Sequence, residues 1–325
     1  MIYGLLAASL IILLLLPTFA GPWIQGIFIM IFYYAHLGQS WNILTGYAGQ
    51  ISLGHAAFAG IGAYTSTKLF LAFGLSPWLG MLLGGLLATA AGLFVGFLGF
   101  RFGVRGVYFA ILTLAFAEIL RLIVLHLDVL GRSYGLFVPF GGHNPVNFQF
   151  AGKSAYYYIS LALMLLSSAV VWLIARSKLG YYVVSIREDE DAAESLGVNA
   201  FRYKLIAISI SAFLTALGGS FYAQYFLYIH PDINIGVPLS IEIILRPIVG
   251  GMGTVLGPLL GSFLLTPLGE FSRSYLAEHG YVGLHLVIYG ALMVAVVMFL
   301  PRGIISFLER RFVRLAYVSV GKSPL

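Results

Sequence analysis

Apolar residues in this chain come in long continuous runs, broken by short polar patches. A membrane span needs about twenty apolar residues. Runs at 5–20, 23–44, 49–73, 77–99, 105–127, 155–175, 205–227 and 281–300 approach or meet that length. The region 238–270 is also apolar, but Pro247, Gly250, Gly251, Gly253 and Pro258 interrupt it. It is too long for one straight helix and predicts two short or broken ones. The pattern therefore predicts an all-α integral membrane protein with about ten transmembrane or broken helices, forming one transmembrane domain over 1–325. A membrane barrel would instead alternate in segments of about ten residues. The first run, Leu5 to Phe19, has no basic segment before it and no small-residue cleavage site, so it reads as a first span.

The basic residues cluster between these runs. Arg101 and Arg105 mark one turn. Arg176, Lys178, Arg187, Arg202 and Lys204 mark the largest loop, 176–204. Arg302, Arg310, Arg311, Arg314 and Lys322 mark the tail, 301–325. Together these are 12 of the 18 basic residues. Lysine and arginine favour the cytoplasmic side, and the three clusters share a side only if 238–270 crosses an even number of times. That places both termini inside and the Gly- and Pro-rich 128–154 loop outside.

Composition agrees with the pattern. Of 325 residues, 60% are hydrophobic and 9% charged, with mean hydropathy +0.96; a soluble domain carries about 25% charged residues. The net charge of +6 resides in membrane-flanking segments and does not point to nucleic acid. Cysteine is absent, which excludes disulfides, thiolate metal sites and a cysteine nucleophile.

Two Gly-rich interruptions carry the candidate chemistry. Gly46 to Tyr64 reads GYAGQISLGHAAFAGIGAY, and with Asn42 it supplies Gln50, Ser52 and His55 as polar groups within the apolar pattern. Lipid offers such groups no hydrogen-bond partner, so each must face protein or water. They are candidates to contact a polar solute. The glycines, Gly46, Gly49, Gly54, Gly60 and Gly62, serve either that path or close helix packing, and His55 is either a satisfied core histidine or a gating group. The second interruption is Gly250-Gly251-Met252-Gly253-Thr254-Val255-Leu256-Gly257-Pro258. A G-x-x-G…L-G pattern recurs in both, and broken segments in two halves point to a transport path. The candidate path residues are thus Asn42, Gly46, Gln50, Ser52, Gly54, His55, Gly250, Gly251 and Gly253. Two charge pairs, Glu118 with Arg121 and Glu242 with Arg246, have spacings that put each pair on one helix face, and they read first as internally neutralised structural pairs.

The loop RSKLGYYVVSIREDEDAAESLGVNAFRYK (176–204) is the one soluble-looking segment. Glu188, Asp189, Glu190, Asp191 and Glu194 lie within seven positions, Glu188 to Leu196 favours a helix with acids near its start, and Gly197 supplies a stop. Asn199 adds a turn residue. A short helix of this kind at a membrane surface is a projecting element.

This segment resembles the coupling helix of ABC importer permeases, whose E-A-A-x-x-x-G pattern is matched by Asp191-Ala192-Ala193-Glu194-Ser195-Leu196-Gly197, with Asp191 where Glu is usual. The Ile186–Glu190 run, the Gly46–Tyr64 signature and the G-G-x-G-T-x-x-G-P stretch resemble the LivM-type permeases of branched-chain amino-acid ABC transporters. The strongest stretches are 42–64, 186–232 and 240–261. The resemblance implies that Arg187, Glu188, Asp189, Glu190, Asp191, Ala192, Ala193 and Gly197 contact an ATPase, the alanines seating the helix and the acids orienting it. It implies a LivH-type second permease, two cytoplasmic ATPase subunits, an extracytoplasmic binding protein and a place in the bacterial inner membrane. No cofactor is implied for this chain, since ATP is hydrolysed by the partners. Relatives in this family carry urea, short amides or aromatic acids, and Arg246-Pro247 departs from the apolar residues usual before the late motif, so an importer of another small polar solute is the alternative. No Walker A sequence, HExxH or nucleophile elbow is present; AYVSVGKS near the end has Ala316 where the first glycine is required. A membrane enzyme would lack a catalytic constellation, and an ion-coupled transporter would leave the coupling motif without a purpose.

Overall fold

The computed structural model describes residues 2–278 and, beyond them, Gly290, Ala291, Val294, Met298 and 303–305. The candidate span 281–300 and the tail 301–325, with its five basic residues, otherwise lie outside the described residues. The chain is a helical bundle. In order it runs α1 (Ile2–Phe19), α2 (Pro22–Asn42), α3 (His55–Phe73), α4 (Pro77–Arg101), α5 (Val107–His126), β1 (Leu136–Phe137), α6 (Lys153–Arg176), α7 (Lys178–Glu188), α8 (Glu190–Ser195), α9 (Ala200–Phe226), β2 (Tyr228–Ile229), α10 (Pro231–Asn234), α11 (Val237–Gly250) and α12 (Gly257–Glu278). Pro22 and Pro77 start α2 and α4 at positions where a missing N–H costs nothing.

Five stretches are long and apolar enough to cross a membrane: α4, α5, α6, α9 and Pro231–Gly250, which joins α10 to α11. By length and composition, then, the described residues supply five of the roughly ten crossings expected. Helices α2 and α3 are as long but less apolar. The reason is packing: both are largely buried inside the bundle, where polar residues find protein partners. The lipid-like surface falls on the outer helices, with Leu79, Leu82, Leu86, Ile111, Ile119 and Ile123 exposed.

The broken reading of 238–270 holds: α11 stops at Gly250, a loop covers 251–256, and α12 begins at Gly257. The expected 49–73 span is shorter than its apolar run, because α3 begins only at His55. A π-turn, Ile43–Tyr47, widens the end of α2, and residues 48–54 are irregular. Arg105 bonds to the α7–α8 segment, whereas α5 and α6, about 30 Å or more long at 1.5 Å per residue, carry the 127–152 loop to the opposite end. There β1 pairs antiparallel with β2, Leu136 opposite Ile229. Ser76 Oγ and Trp78 Nε1 donate to the carbonyls of Val146 (2.5 Å) and Pro145 (2.9 Å), tying that loop to the start of α4.

Helices α3, α4 and α9 meet through small residues. A Cβ on Gly62 would strike the Ala216 backbone, and one on Gly84 would stand 3.0 Å from the Gly62 Cα. Without a hydrophobic drive between helices in lipid, such close approach supplies the packing energy. Gly62→Val is expected to cost about 1–3 kcal/mol or more by overpacking, lowering the thermal midpoint of the detergent-purified protein or preventing its accumulation. Gly21→Ala, where nothing lies within 4 Å, should leave the midpoint close to that of the parent.

Candidate functional site

The two Gly-rich interruptions, some two hundred residues apart, meet in space. Asn42, fully buried at the end of α2, uses both ends of its amide. Its Nδ2 donates to the Thr254 carbonyl at 2.9 Å, and its Oδ1 accepts from the Gly253 N–H at 2.8 Å. One turn earlier Gln39 Nε2 donates to the Val255 carbonyl at 2.5 Å. These side chains satisfy the backbone of the 251–256 loop, which has no helix ladder to serve it. Gly46 sits beneath the Asn42 amide, with the Gly253 N–H close to where its Cβ would be.

Arg187 joins this cluster from α7. Its Nη1 donates to the Gly46 carbonyl at 2.7 Å, while its Nε and Nη2 reach Glu188 Oε1 at 3.1 and 2.5 Å. A Cβ on Gly49 would stand 2.7 Å from the Arg187 Cγ, and one on Gly253 2.9 Å from its Nη1. Gly49 has φ +70°, a conformation that other residues resist. One guanidinium thus spans the gap between α7 and both glycine turns. Gly250 and Gly251 lie where α11 ends, a Cβ on Gly250 striking the Gly257 backbone.

Ser52, Gly54 and His55 lie beside this cluster, in the bundle core. His55 Nδ1 is 2.8 Å from Ser52 Oγ and its Nε2 is 2.7 Å from Ser211 Oγ. Ser211 has one hydroxyl proton, and it goes to the Ser40 carbonyl at 2.6 Å. Toward His55 it must accept, so Nε2 carries the imidazole proton and Nδ1 accepts from Ser52. Both ring nitrogens are occupied, the arrangement of a satisfied core histidine. The chain before it is held by Trp41 Nε1 on the Ser52 carbonyl (2.8 Å) and by Thr113 Oγ1 accepting from Leu53 N–H (3.0 Å). Gly54 packs against the Thr113 backbone and Gly60 against Ile235, which answers for those two glycines by close approach. Gln50 differs from its neighbours. Its Nε2 reaches the Ala48 carbonyl at 3.2 Å, but its buried Oε1 accepts from no described residue, and neither does that of Gln39.

The projecting segment differs from its expected form in three ways. The helix expected over 188–196 is broken at Asp189, which is extended and caps α8 by accepting from the Ala192 N–H at 3.0 Å. The two alanines do not share a face: Ala192 is exposed, whereas Ala193 is buried on Ile186 and Ala200. The acids are largely committed within the chain. Glu190 meets Lys204 at 2.5 Å and Arg105 at 3.4 Å, Asp191 meets Arg105 at 3.1 Å, and Glu188 meets Arg187. The hydrogen bond to Asp191 and then the charge of Glu190 hold the Arg105 pKa above its ordinary value. The glycine stop is as expected, Gly197 having φ +88°. Asn199 opens α9, accepting from the Arg202 N–H at 2.9 Å. The tip is apolar, with Leu196 87% exposed.

Both intrahelical charge pairs form. Arg121 binds Glu118 and also Asp232 at 2.5 Å, joining α5 to α10, and Arg246 binds Glu242 while stacking on Tyr34 at 3.7 Å. The sequence reading did not name Gln39, and it gave Thr254, Arg105 and Lys204 no part in these contacts. Only Gln39 carried a local signal, as a polar residue one turn before Asn42 in an apolar run.

The family described as "Branched-chain amino acid transport system / permease component" matches residues 23–297. The chain belongs to that permease family. It is 29% identical over 323 residues to the LivM high-affinity branched-chain amino acid permease protein of Salmonella typhimurium, covering 92% of this chain and 74% of the relative. It is 30% identical over 295 residues to LivM of Escherichia coli, covering 84% and 67%. A tyrosine transport system permease protein of Clostridioides difficile is 26% identical over 193 residues, covering 58% and 61%. No solved structure matches. As a member of the family, the chain is a multi-pass membrane protein.

The Lys204 side chain is only 3% exposed, so removing its partner strands a buried charge, at a cost of about 3–5 kcal/mol. Glu190→Ala is expected to lower the thermal midpoint of the purified permease by several degrees. Glu190→Leu combined with Lys204→Met should recover most of the loss.

Proposed function

We propose that this chain is the transmembrane permease subunit of an ABC importer for branched-chain amino acids, acting as one permease domain. Family membership over 23–297 carries the reading. The α7–α8 segment supports it, because it projects an exposed apolar tip, Leu196, from a base fixed to the bundle by Arg105, Lys204 and Arg187. In this reading α7–α8 is the coupling element that seats on a cytoplasmic ATPase. Leu196 and Ala192 offer the contact, and the acids set the element's shape. Arg187 hands its displacement to the glycine turns at Gly46 and Gly253.

The remaining parts of the assembly are a second, LivH-type permease, two ATPase subunits and an extracytoplasmic binding protein. The chain lies in the bacterial inner membrane. Its α7–α8 end, with Arg101, Arg105, Arg176, Lys178, Arg187, Arg202 and Lys204, faces the cytoplasm by the positive-inside rule, and both termini are cytoplasmic. The chain binds no cofactor and carries out no catalysis; ATP is hydrolysed by the partners. Asn42, Gln50 and the glycine turns form the part of the path that the coupling element moves, and the unaccepted Oε1 of Gln50 is its free polar contact.

The test uses the reconstituted importer. At φ +88°, a β-branched residue at 197 is strained by about 1–2 kcal/mol or more. Gly197→Val is expected to lower binding-protein-stimulated ATP hydrolysis and leucine uptake together by at least about tenfold, with the permease still inserted. Gly197→Asn, which tolerates the left-handed conformation, should retain most of both. Unchanged stimulation in the valine variant would remove the coupling role, and uptake driven by an ion gradient without ATP would overturn the ABC assignment.

A further inference from the structure

A cavity of about 330 Å³ between α3, α4 and α5 is almost wholly apolar and faces the lipid-exposed helices. A second, of about 380 Å³, is different. It opens between the starts of α2 and α6 and the far ends of α9 and α12, at the end of the bundle opposite α7–α8. Its walls are aromatic, with Trp23, Tyr34, Tyr222 and Tyr225, and it carries two opposite charges, Lys153 and Glu270. Neither charge forms an ion pair with a described residue, although both line the same cavity. Lys153 is exposed at the mouth and Glu270 is half-buried, so the cavity presents both charges to a solute arriving from water.

The local structure makes room for this arrangement. Lys153 is the first residue of α6, where the unpaired N–H groups add to its positive field. Its Nζ stands 3.2 Å from the point a Cβ would occupy on Gly26, and the Tyr225 hydroxyl stands 3.8 Å from the same point. A side chain at position 26 would take the space the ammonium uses. The cavity runs along α2 from Trp23 to Tyr34, eleven residues or about 16 Å at 1.5 Å per residue. Tyr34 lines it too, with the Arg246 guanidinium stacked on its ring.

We propose that this cavity binds a free zwitterionic α-amino acid as the first station of this chain on the external side, an inference that rests on the importer reading above. The chemistry is complementary at both ends of such a ligand. Lys153 receives the carboxylate, and Glu270 receives the ammonium. Tyrosine faces add cation–π attraction to the ammonium. Trp23 and the apolar stretch of α2 take the side chain. The volume lies within the range of small-molecule sites, and the lining mixes these polar groups with the aromatic rings. A ligand with only one of the two charges makes only one of the two charge-assisted hydrogen bonds, which is the basis of discrimination. A phosphatidylethanolamine headgroup shares the zwitterionic chemistry, so the test is done in lipid lacking an amine.

Leucine, leucinamide (no carboxylate) and 4-methylpentanoate (no ammonium) are titrated into the full chain in phosphatidylglycerol nanodiscs. Leucine should bind, with both analogues at least tenfold weaker. Lys153→Gln should weaken leucine at least tenfold and leave leucinamide unchanged. Glu270→Gln should weaken leucine at least tenfold and leave 4-methylpentanoate unchanged. Lys153→Arg should keep leucine within about threefold, showing that charge and not fold is responsible. Equal leucine affinity in the parent and both glutamine variants would overturn the proposal, as would phosphatidylethanolamine held in the site and not displaced by leucine. Uptake by cells carrying the complete importer separates this from the functional reading. Normal leucine uptake by the Lys153→Gln importer removes the site and leaves the function standing. Absence of branched-chain amino-acid uptake by the parent importer removes the function itself.

Discussion

The side-chain amide of Asn42 is the interaction on which the middle of this molecule depends. Two helices end inside the protein, α2 in a π-turn and α11 at Gly250, and each leaves backbone groups without a ladder. In lipid those groups have no solvent to turn to. Asn42 answers by donating to one loop carbonyl and accepting from one loop N–H. Without that bridge the 251–256 loop would lose two of its backbone partners, and the Gly46 turn would lose the surface it packs on. The glycines follow from the same requirement, since a side chain at 46 or 253 would occupy the space that the amide and the Arg187 guanidinium fill.

Arg187 turns this static joint into a connection. Its base lies on the projecting α7 and its Nη1 lies on the Gly46 carbonyl. One side chain thus joins α7 to the Gly46 turn and stands beside Gly253, the route proposed above for a displacement of α7. The ion pairs of Glu190 with Lys204 and Arg105 fix the element's root to α9 and to the α4–α5 turn. Most acids of this segment are thereby held within the chain. The charges hold the shape and leave the apolar Leu196 and the small Ala192 exposed, the two residues proposed above to meet the ATPase.

Much of the architecture was legible in the sequence. Hydrophobic run lengths placed α4, α5, α6 and α9 to within about five residues, and Pro247, Gly250 and Pro258 marked 238–270 as two helices. Gly197 was legible as a stop because few other residues suit its backbone. What was not legible was pairing. Asn42 and Gly253 are far apart in sequence, and periodicity gives a residue's face without naming what it meets. The same limit hid the burial of Ala193, the Lys204–Glu190 pair, and the convergence of Lys153 and Glu270 on one cavity. The late start of α3 escaped because Ala48, Ile51 and Leu53 carry the apolar run through its irregular lead-in, 48–54. His55 reads equally well in two ways from sequence; Ser52 and Ser211 occupy its ring nitrogens, and the Ser40 carbonyl takes the Ser211 proton.

The proposed coupling element and both glycine turns are expected to move as one unit through Arg187. Hydrogen exchange on the importer reconstituted in nanodiscs, with and without ATP, measures this directly. ATP should change exchange in 186–197, 46–54 and 250–257 together, and Arg187→Ala should confine the change to 186–197. A change in 186–197 with both turns unaffected in the parent protein, or one that reaches the turns equally in the alanine variant, would contradict it.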